Sequence, residues 1–173
     1  VNITIMLLII IGGIGFTIWN EVRIKKFKLS RYSLHAKIVI STTLILVFGG
    51  GLFMYIFEKN NTIAGMDTPG AVFASLFGSV TARTAGFNTV DTAALTQESK
   101  LLTIVLMFIG GSPGSTAGGM KTTTFTVLIL NAIATFRSRE NVEAFGRRLD
   151  HYVIKNAATI AMLYFTMFFC GGI

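Results

Sequence analysis

TARTAGFNT, at residues 81–89, is a small, hydroxyl-rich stretch with one glycine, and it directly follows an apolar segment at residues 71–80. That apolar segment is too short for a helix that crosses a bilayer, which needs about 20 apolar residues. Asp67 or Thr68 followed by Pro69 is typical of a helix start, with an N-cap and a proline in the first turn. The pattern predicts a half-helix that enters the membrane and an extended strand that returns to the same side.

The rest of the chain has the composition of a membrane protein. Of its 173 residues, 52% are hydrophobic and 13% are charged, which excludes an ordinary soluble domain. Three stretches have the length and hydropathy of spanning helices, at residues 3–19, 38–57 and 153–173. The single cysteine, Cys170, excludes an internal disulfide. Because the chain begins and ends inside apolar runs, we expect it to be a fragment of a longer protein.

The net charge of +7 is distributed in a way that predicts the orientation of the helices. Residues 20–37 carry six basic residues and one acidic residue. Residues 58–100 carry three basic and four acidic residues, and residues 137–155 carry five basic and three acidic residues. Lys and Arg accumulate in short cytoplasmic loops. The segment that contains residues 81–89 is therefore predicted to face the outside, with a cytoplasmic segment on either side of it in the chain.

A fourth apolar region, residues 101–136, is interrupted in its middle by GGSPGSTAGG at residues 110–119. Five of the chain's 18 glycines and Pro113 fall in these ten residues, so the helix is predicted to be broken there. Non-helical backbone at membrane depth is tolerated only where it lies against protein or lines a water-filled path. Both interruptions, residues 81–91 and 110–121, are therefore expected to face such a path.

Backbone carbonyls on a returning strand need partners, and a permeating cation is one such partner. Rings of carbonyls replace the hydration shell of potassium in channel filters, and the C-terminal end of a half-helix favours a cation electrostatically. Residues 84–88 read TAGFN, which is similar to the TVGYG pattern of potassium filters. Asn88 departs from the final glycine of that pattern.

These two motifs, TARTAGFNT at residues 81–89 and GGSPGSTAGG followed by MKTTT at residues 110–124, carry a family resemblance. Together they resemble the third repeat of the Ktr-type potassium transporter membrane subunit, within the Trk/Ktr/HKT superfamily. IGGIGF at residues 11–16 resembles the end of the second repeat in the same family. The resemblance implies an all-α integral membrane fold in which each repeat is a helix, a re-entrant pore loop and a second helix, four repeats surround one pore, and the second helix of this repeat is broken.

The resemblance also implies an organisation along the chain. In order, it consists of the end of a preceding repeat's helix at residues 1–20, a cytoplasmic linker at 21–37, the third repeat at 38–136, a second linker at 137–152 and the start of the next repeat at 153–173. Within the third repeat it implies a pore helix at 69–81, a filter at 82–88 and a broken inner helix at 100–136.

Site residues follow from the same resemblance. Four residues are implied to bind potassium through their backbone carbonyls: Thr84, Ala85, Gly86 and Phe87. Two residues are implied to support the filter: Arg83 and Asn88. The residues implied to form the intramembrane gating loop are Gly110, Gly111, Ser112, Pro113, Gly114, Ser115, Thr116, Ala117, Gly118, Gly119 and Lys121.

Two basic residues near these motifs have more than one interpretation. Lys121 could create a barrier to cations, hold the loop through carbonyls or a carboxylate, or extend toward cytoplasmic water. Arg83 directly precedes a cation filter, which disfavours a place on the ion path. A supporting role behind the filter is preferred, with Asp91 or Glu98 as candidate partners.

Other motifs have weaker support. Residues 114–121 invite comparison with a phosphate-binding loop, but Met120 separates the last glycine from Lys121. His35 and His151 have no further ligand at metal-binding spacing and are expected at the membrane interface. No set of nucleophile, base and orienting group is recognisable, so the chain is predicted not to be an enzyme.

The cytoplasmic segment at residues 137–155 has a moderately helical pattern of apolar and basic residues, typical of an amphipathic helix on the membrane surface. A lipid-facing anchor and a partner site are both open for it. The resemblance implies a homodimer that sits on a cytoplasmic ring of nucleotide-binding regulatory subunits, embedded in membrane lipid and without nucleic acid.

Two functions of different classes remain. The first is potassium uptake across a bacterial cell membrane as the ion-translocating subunit, with potassium as the transported ion and sodium as a candidate activator. The second is a non-conducting membrane scaffold or assembly subunit, whose re-entrant segment only packs. The first is preferred because a scaffold has no need of a half-helix followed by a glycine-bearing strand.

Overall fold

The computed structural model describes residues 1–26, 31–83, 85–139 and 141–171, and the fold of these residues is almost entirely helical. Two helices, α3 and α7 below, are each long and apolar enough to cross a membrane, and the bent pair α1 and α2 is a third candidate. In chain order the elements are α1 (Asn2–Ile14), α2 (Phe16–Lys25), α3 (Leu34–Glu58), α4 (Thr68–Ala82), α5 (Gln97–Phe108), α6 (Thr122–Phe136), β1 (Glu143–Ala144), β2 (Arg147–Arg148) and α7 (His151–Gly171).

The first apolar run is a bent pair of helices, whereas the sequence predicted one helix over residues 1–20. Helices α1 and α2 meet at Gly15 at an angle of 93°, and α2 continues to Lys25, inside the predicted linker. Gly15 has φ 90° and ψ 149°, a conformation that side chains rarely adopt. A side chain would not fit at the bend either, since a Cβ at Gly15 would lie 2.7 Å from Ser112 Oγ.

Helix α3 is the long outer helix of the repeat. It begins four residues earlier than predicted, because Ser33 caps it by accepting a hydrogen bond from the Ala36 amide at 3.1 Å. On its inner face Gly51 lies directly against Leu76 of α4, where any side chain would collide. This close approach lets α3 and α4 pack along their length.

Helix α4 is the short helix that the sequence predicted between two spanning segments. It covers one residue more at each end than the predicted pore helix, and Pro69 lies in its first turn. Its apolar face is buried, with Phe77 and Val80 packed against Met6 of α1 and Val47 of α3. Helix α4 is thus held between α1 and α3, which positions the residues that follow it.

The fourth apolar region is two helices, α5 and α6, separated by residues 109–121. Thr96 caps α5 by accepting a hydrogen bond from the Ser99 amide at 3.3 Å. The glycine run of residues 110–119 lies entirely within the gap between the helices. Glycine and proline in this composition remove the helix propensity that would otherwise join them.

The prediction of a helix over residues 137–155 is wrong for residues 143–148, which form a β-hairpin. Strands β1 and β2 pair antiparallel, and Phe145 and Gly146 between them have φ of 51° and 72°. Two successive positive φ values are the signature of a type I′ turn. Val142 and Leu149 are buried while Phe145 is exposed, so the apolar residues do not share one face. Turn chemistry and packing against α6 and α7 override the weak helical pattern.

Candidate functional site

The backbone leaves helix α4 through a tight turn into an irregular segment at residues 85–88. Two amides of that segment, on Ala85 and Gly86, donate to the same carbonyl oxygen, that of Thr81, at 3.1 and 3.4 Å. Thr84, one of the four predicted carbonyl ligands, lies outside the described residues. From residue 86 to residue 88 the chain has no regular secondary structure. The end of α4 therefore orients the residues that the sequence identified as a filter.

Gly86 is required at its position by backbone conformation. Its φ of 77° lies in the left-handed region, yet an added Cβ would meet nothing within 4 Å. A larger residue would fit in space but would strain the backbone by about 1–2 kcal/mol. The carbonyl oxygens of Ala85 and Gly86 accept no hydrogen bond from any described residue. Within the described ranges, both oxygens are therefore without a hydrogen-bond donor.

The carbonyl oxygen of Phe87, unlike those of Ala85 and Gly86, accepts a hydrogen bond from a described residue. The donor is Thr81 Oγ1 at 2.5 Å, and this bond joins residue 87 to the last turn of α4. One lone pair of this oxygen is thereby occupied, and the second is available. Thr81 was not identified from the sequence, although a threonine at the end of a half-helix is a recognisable signal for such a bond.

A cavity of about 470 Å³ lies next to residues 85–90, which line part of it. Its walls come from the end of α3, the inner face of α4, residues 85–90 and the side of α5, and most of its lining is apolar. Asn88, predicted to support the filter, is among the lining residues and is exposed. Residues 85–90 therefore have a cavity on one side of them and are not packed solidly against α5.

Glu58, at the edge of this cavity, is a buried acid that sequence reasoning missed. It is 3% exposed. Its Oε1 accepts from the amide and the hydroxyl of Thr96, both at 2.9 Å. Its Oε2 accepts from Asn61 Nδ2 at 2.9 Å and from the hydroxyl and amide of Thr62 at 2.7 and 3.3 Å. This carboxylate fastens the end of α3 to the start of α5, where a negative charge is also favoured by the helix dipole.

Arg83 directly follows α4 and is only 7% exposed. Its Nε is buried without a hydrogen-bond partner. Neither of the predicted partners pairs with it. Asp91 Oδ1 instead accepts from the Ala93 amide at 2.9 Å, and Glu98 is exposed in the first turn of α5. Within the described ranges, Arg83 is a buried cation without a counter-charge.

The interruption between α5 and α6 is a closed loop with a bonded base, which we call the glycine loop (residues 109–121). Gly110 N donates to Met120 O at 2.9 Å, Met120 N to Phe108 O at 3.1 Å and Thr122 N to Gly111 O at 3.1 Å. These three bonds join the two ends of the loop in a short parallel bridge. The interruption is therefore an ordered turn structure. Its glycine content alone would also be compatible with a mobile loop.

Inside the glycine loop the backbone depends on proline and glycine. Ser115 N donates to Ser112 O at 3.1 Å around Pro113 and Gly114, and Gly114 has φ 75°, which are the features of a type II turn. Gly119 has φ 71°, and a Cβ there would lie 3.0 Å from Gly110 N. Gly114 is required because of its backbone conformation. Gly119 is required because of its backbone conformation and because there is no space for a side chain.

Side chains from outside and inside the loop also hold it. Lys121 Nζ donates to Ala117 O at 2.9 Å, so among the interpretations of this residue the structure has the one in which it holds the loop through a carbonyl. From helix α7, Tyr164 OH donates to Gly119 O at 3.1 Å. The loop is thus bonded to α7, a helix that the sequence assigned to the next repeat.

A spanning helix, a half-helix followed by an irregular segment and a broken second helix together make up the predicted pore-loop repeat of a membrane transport protein. The chain belongs to the TrkH family of cation transport proteins, whose family model matches residues 1–173. The predicted superfamily, the predicted helical membrane fold and the prediction that the chain is not an enzyme are thereby confirmed, because this is a family of multi-pass membrane transporters.

Individual relatives agree with this assignment. The chain is 36% identical over 154 residues to the potassium/sodium uptake protein NtpJ of Enterococcus hirae, covering 88% of this chain and 34% of that protein. It is 35% identical over 173 residues to the Ktr system potassium uptake protein B of Bacillus subtilis, covering 99% of this chain and 39% of that protein. The chain therefore spans between a third and two fifths of the length of these relatives.

A solved structure has the same fold. The crystal structure of the potassium transporter TrkH from Vibrio parahaemolyticus superposes with a TM-score of 0.82, over 98% of this chain and 37% of that one, at 20% sequence identity. At that identity the similarity concerns the fold. The arrangement of α3, α4 and the broken pair α5 and α6 is therefore that of a known potassium transporter.

Proposed function

We propose that this chain is part of the ion-translocating subunit of a bacterial potassium uptake system. In this proposal residues 84–87 form one segment of the selectivity filter, and other repeats of the full-length protein complete the ring. The observation that carries the proposal is the pair of carbonyl oxygens on Ala85 and Gly86, which accept no hydrogen bond from any described residue and lie at the C-terminal end of the half-helix α4. Such an arrangement favours a dehydrated cation on both geometric and electrostatic grounds.

The glycine loop is the proposed gate. It interrupts the second helix of the repeat, so it lies between the two halves of a helix that lines the pore in this architecture. A few individual hydrogen bonds join it to other helices, such as the one from Tyr164 of α7, and each contributes about 0.5–1.5 kcal/mol. A gate of this kind can be released by modest forces on the neighbouring helices.

Cargo and partners are proposed from the relatives. Potassium is the proposed transported ion, since each of the relatives above is named for potassium uptake. The name of the Enterococcus protein includes sodium, which supports sodium as a second ion or an activator. A homodimer on a ring of nucleotide-binding cytoplasmic subunits, in contact with membrane lipid, completes the proposal. Arg83 and Asn88 keep their proposed role in supporting the filter.

Replacement of Gly86 by serine in the full-length protein tests the filter. The change strains the backbone at φ 77° without filling an occupied space, so it should displace the two free carbonyls and lower the selectivity for potassium over sodium. Uptake of both ions is measured in cells that lack their own potassium uptake, and flux is divided by protein abundance. Gly65→Ser is the matched control, because a Cβ at Gly65 also meets nothing and its φ is not in the left-handed region.

The second hypothesis, a non-conducting scaffold, predicts a different result. If Gly86→Ser changed only abundance and left the flux ratio per molecule equal to that of Gly65→Ser, the filter assignment would be refuted. Removing residues 115–117, which carry none of the backbone bonds at the base of the glycine loop, should raise potassium flux per molecule. Unchanged flux in that variant would argue against the loop as gate.

A further inference from the structure

We propose that the break between α1 and α2 is a docking seat for the glycine loop, and that conduction requires the loop to leave this seat. The seat consists of residues 12–16. The proposal rests on the proposed function, because it concerns how the gate of that pathway is held. It assigns a role to the IGGIGF motif, for which the sequence alone indicated only a resemblance to the end of the second repeat.

Three hydrogen bonds join the loop and the seat, which are about 100 residues apart in the chain. Ser112 N donates to Gly13 O at 2.9 Å, and Phe16 N donates to Gly114 O at 3.2 Å. Ser112 Oγ donates to Ile14 O in a further short bond. Ser112 is fully buried at this contact. The loop therefore both donates to the seat and accepts from it.

The polarity of these bonds follows from the broken helix. The last carbonyls of α1, on Gly13 and Ile14, and the first amide of α2, on Phe16, have no partner within their own helices. The loop supplies a donor to each carbonyl and an acceptor to the amide. At membrane depth an unpaired backbone group is costly unless water reaches it. Departure of the loop is therefore coupled to the entry of water at the seat, which is what opening a hydrated path requires.

The fit of the two surfaces depends on glycine on both sides. A Cβ at Gly15 would lie 2.7 Å from Ser112 Oγ and 2.9 Å from Pro113 O. On the loop side, a Cβ at Gly111 would lie 3.1 Å from Gly13 O. The two backbones approach closely enough for direct bonds only because these positions carry no side chain. Seat and loop are therefore complementary surfaces.

The seat itself is held firmly in place. Ile18 of α2 is 1% exposed and packs with Tyr32 and Ala36 at the start of α3. Glu21 Oε1 accepts from Ser33 N at 2.6 Å, and its Oε2 accepts from the Ser33 hydroxyl at 2.7 Å. Helix α2 is thus fastened to the N-cap of α3, at the end predicted to be cytoplasmic. A movement of that end carries the seat with it.

A reversible cross-link between seat and loop tests the proposal in the full-length protein. A Cβ at Gly12 would lie 3.4 Å from Thr116 Oγ1, close to the separation of about 3 Å between Cβ and the far sulfur in a disulfide. The variant Gly12→Cys with Thr116→Cys is made together with Cys170→Ser, and every other cysteine of the full-length protein is replaced by serine as well. Potassium flux into proteoliposomes is measured before oxidation, after oxidation and after reduction, and bond formation is verified by mass spectrometry.

We expect oxidation to lower flux at least tenfold and reduction to restore it, while variants with only one of the two cysteines do not respond to oxidation. Full flux with the disulfide formed would overturn the seat but leave the proposed function standing. Failure of the two cysteines to cross-link would overturn the contact itself. Absence of potassium flux in every redox state, at normal abundance, would overturn the proposed function and the seat with it.

Ser112→Ala is a second variant with an independent readout. It removes the hydroxyl that donates to Ile14 O and, at 3.5 Å, to Pro113 O within the loop, so the released state should become about 2- to 12-fold more populated and basal flux should rise by that factor. Ser41→Ala is the matched control, since Ser41 Oγ bonds to Ile38 O within its own helix. Equal flux in the two variants would contradict the seat.

Discussion

Glu58→Gln is the substitution that should most directly loosen the frame around the filter segment. It preserves the size and shape of the side chain and removes one charge. The carboxylate now accepts five hydrogen bonds, two on Oε1 from Thr96 and three on Oε2 from Asn61 and Thr62. A glutamine must direct its amide nitrogen toward one of these two sets of donors.

The size of the effect follows from that arrangement. In either orientation of the amide one backbone N–H, of Thr96 or of Thr62, loses its acceptor and faces another donor, which costs about 1–3 kcal/mol. The bonds that remain are no longer charge-assisted, which adds about 1 kcal/mol. The total of about 2–4 kcal/mol should raise the population of the opened junction by about 30- to 900-fold.

Hydrogen exchange of the Thr62 and Thr96 amides measures this opening directly, in the full-length protein reconstituted in lipid. Their exchange rates should rise by the factor given, provided that closing is faster than exchange. Glu98→Gln is the control, because Glu98 lies two residues from Thr96 but is exposed and contributes only its interaction with the α5 dipole. That interaction is worth about 0.3–1 kcal/mol, or at most about a fivefold change.

A rise of less than fivefold in Glu58→Gln would refute the account of Glu58 as the fastening between α3 and α5. An equal rise in Glu98→Gln would refute it as well, since the effect would then come from charge near the helix and not from the buried bonds. A large rise restricted to Glu58→Gln supports the geometry described.

Two further predictions concern the glycine loop. Gly119→Ala should destabilise the full-length protein by at least about 1–2 kcal/mol, because φ is 71° and the new Cβ would lie 3.0 Å from a backbone nitrogen; Gly118→Ala, with open space and no positive φ, should stay within about 0.5 kcal/mol. Equal melting curves for the two variants would contradict the loop geometry. Tyr164→Phe should cost about 0.5–1.5 kcal/mol through loss of its bond to the loop, whereas Tyr152→Phe, exposed by 74%, should cost nothing measurable. Thermal unfolding in lipid nanodiscs compares them, and a loss of the same size in both would refute the bond.

Much of the architecture could be predicted because it depends on local composition. The half-helix α4 followed from an apolar segment too short to span, with Pro69 at its start, and the interruption between α5 and α6 followed from the glycine run. Both signals report intrinsic backbone preferences, which act before any tertiary contact forms. The hairpin of residues 143–148 was missed because a weak apolar periodicity was weighted above a two-residue turn ending in Gly146.

Features that depend on distant partners could not be predicted in the same way. The bend at Gly15 and the role of Glu58 involve contacts with residues 97 and 38 positions away. Neither has a local signature beyond a glycine in an apolar run or an acid at the end of a helix. The partners proposed for Arg83 failed for the same reason, since proximity in sequence to Asp91 and Glu98 did not bring the charges together.

The sequence by itself determined the membrane class, the half-helix with a glycine after it and the place where the inner helix is interrupted. Hydropathy, length and the backbone preferences of glycine and proline are properties of short segments, so they can be recognised without a fold. The tertiary structure alone decided which carbonyls stay free, that a buried carboxylate fastens α3 to α5, and that the glycine loop rests on the broken end of α1. Those outcomes depend on which backbone groups lose their helical partners and which distant groups then satisfy them.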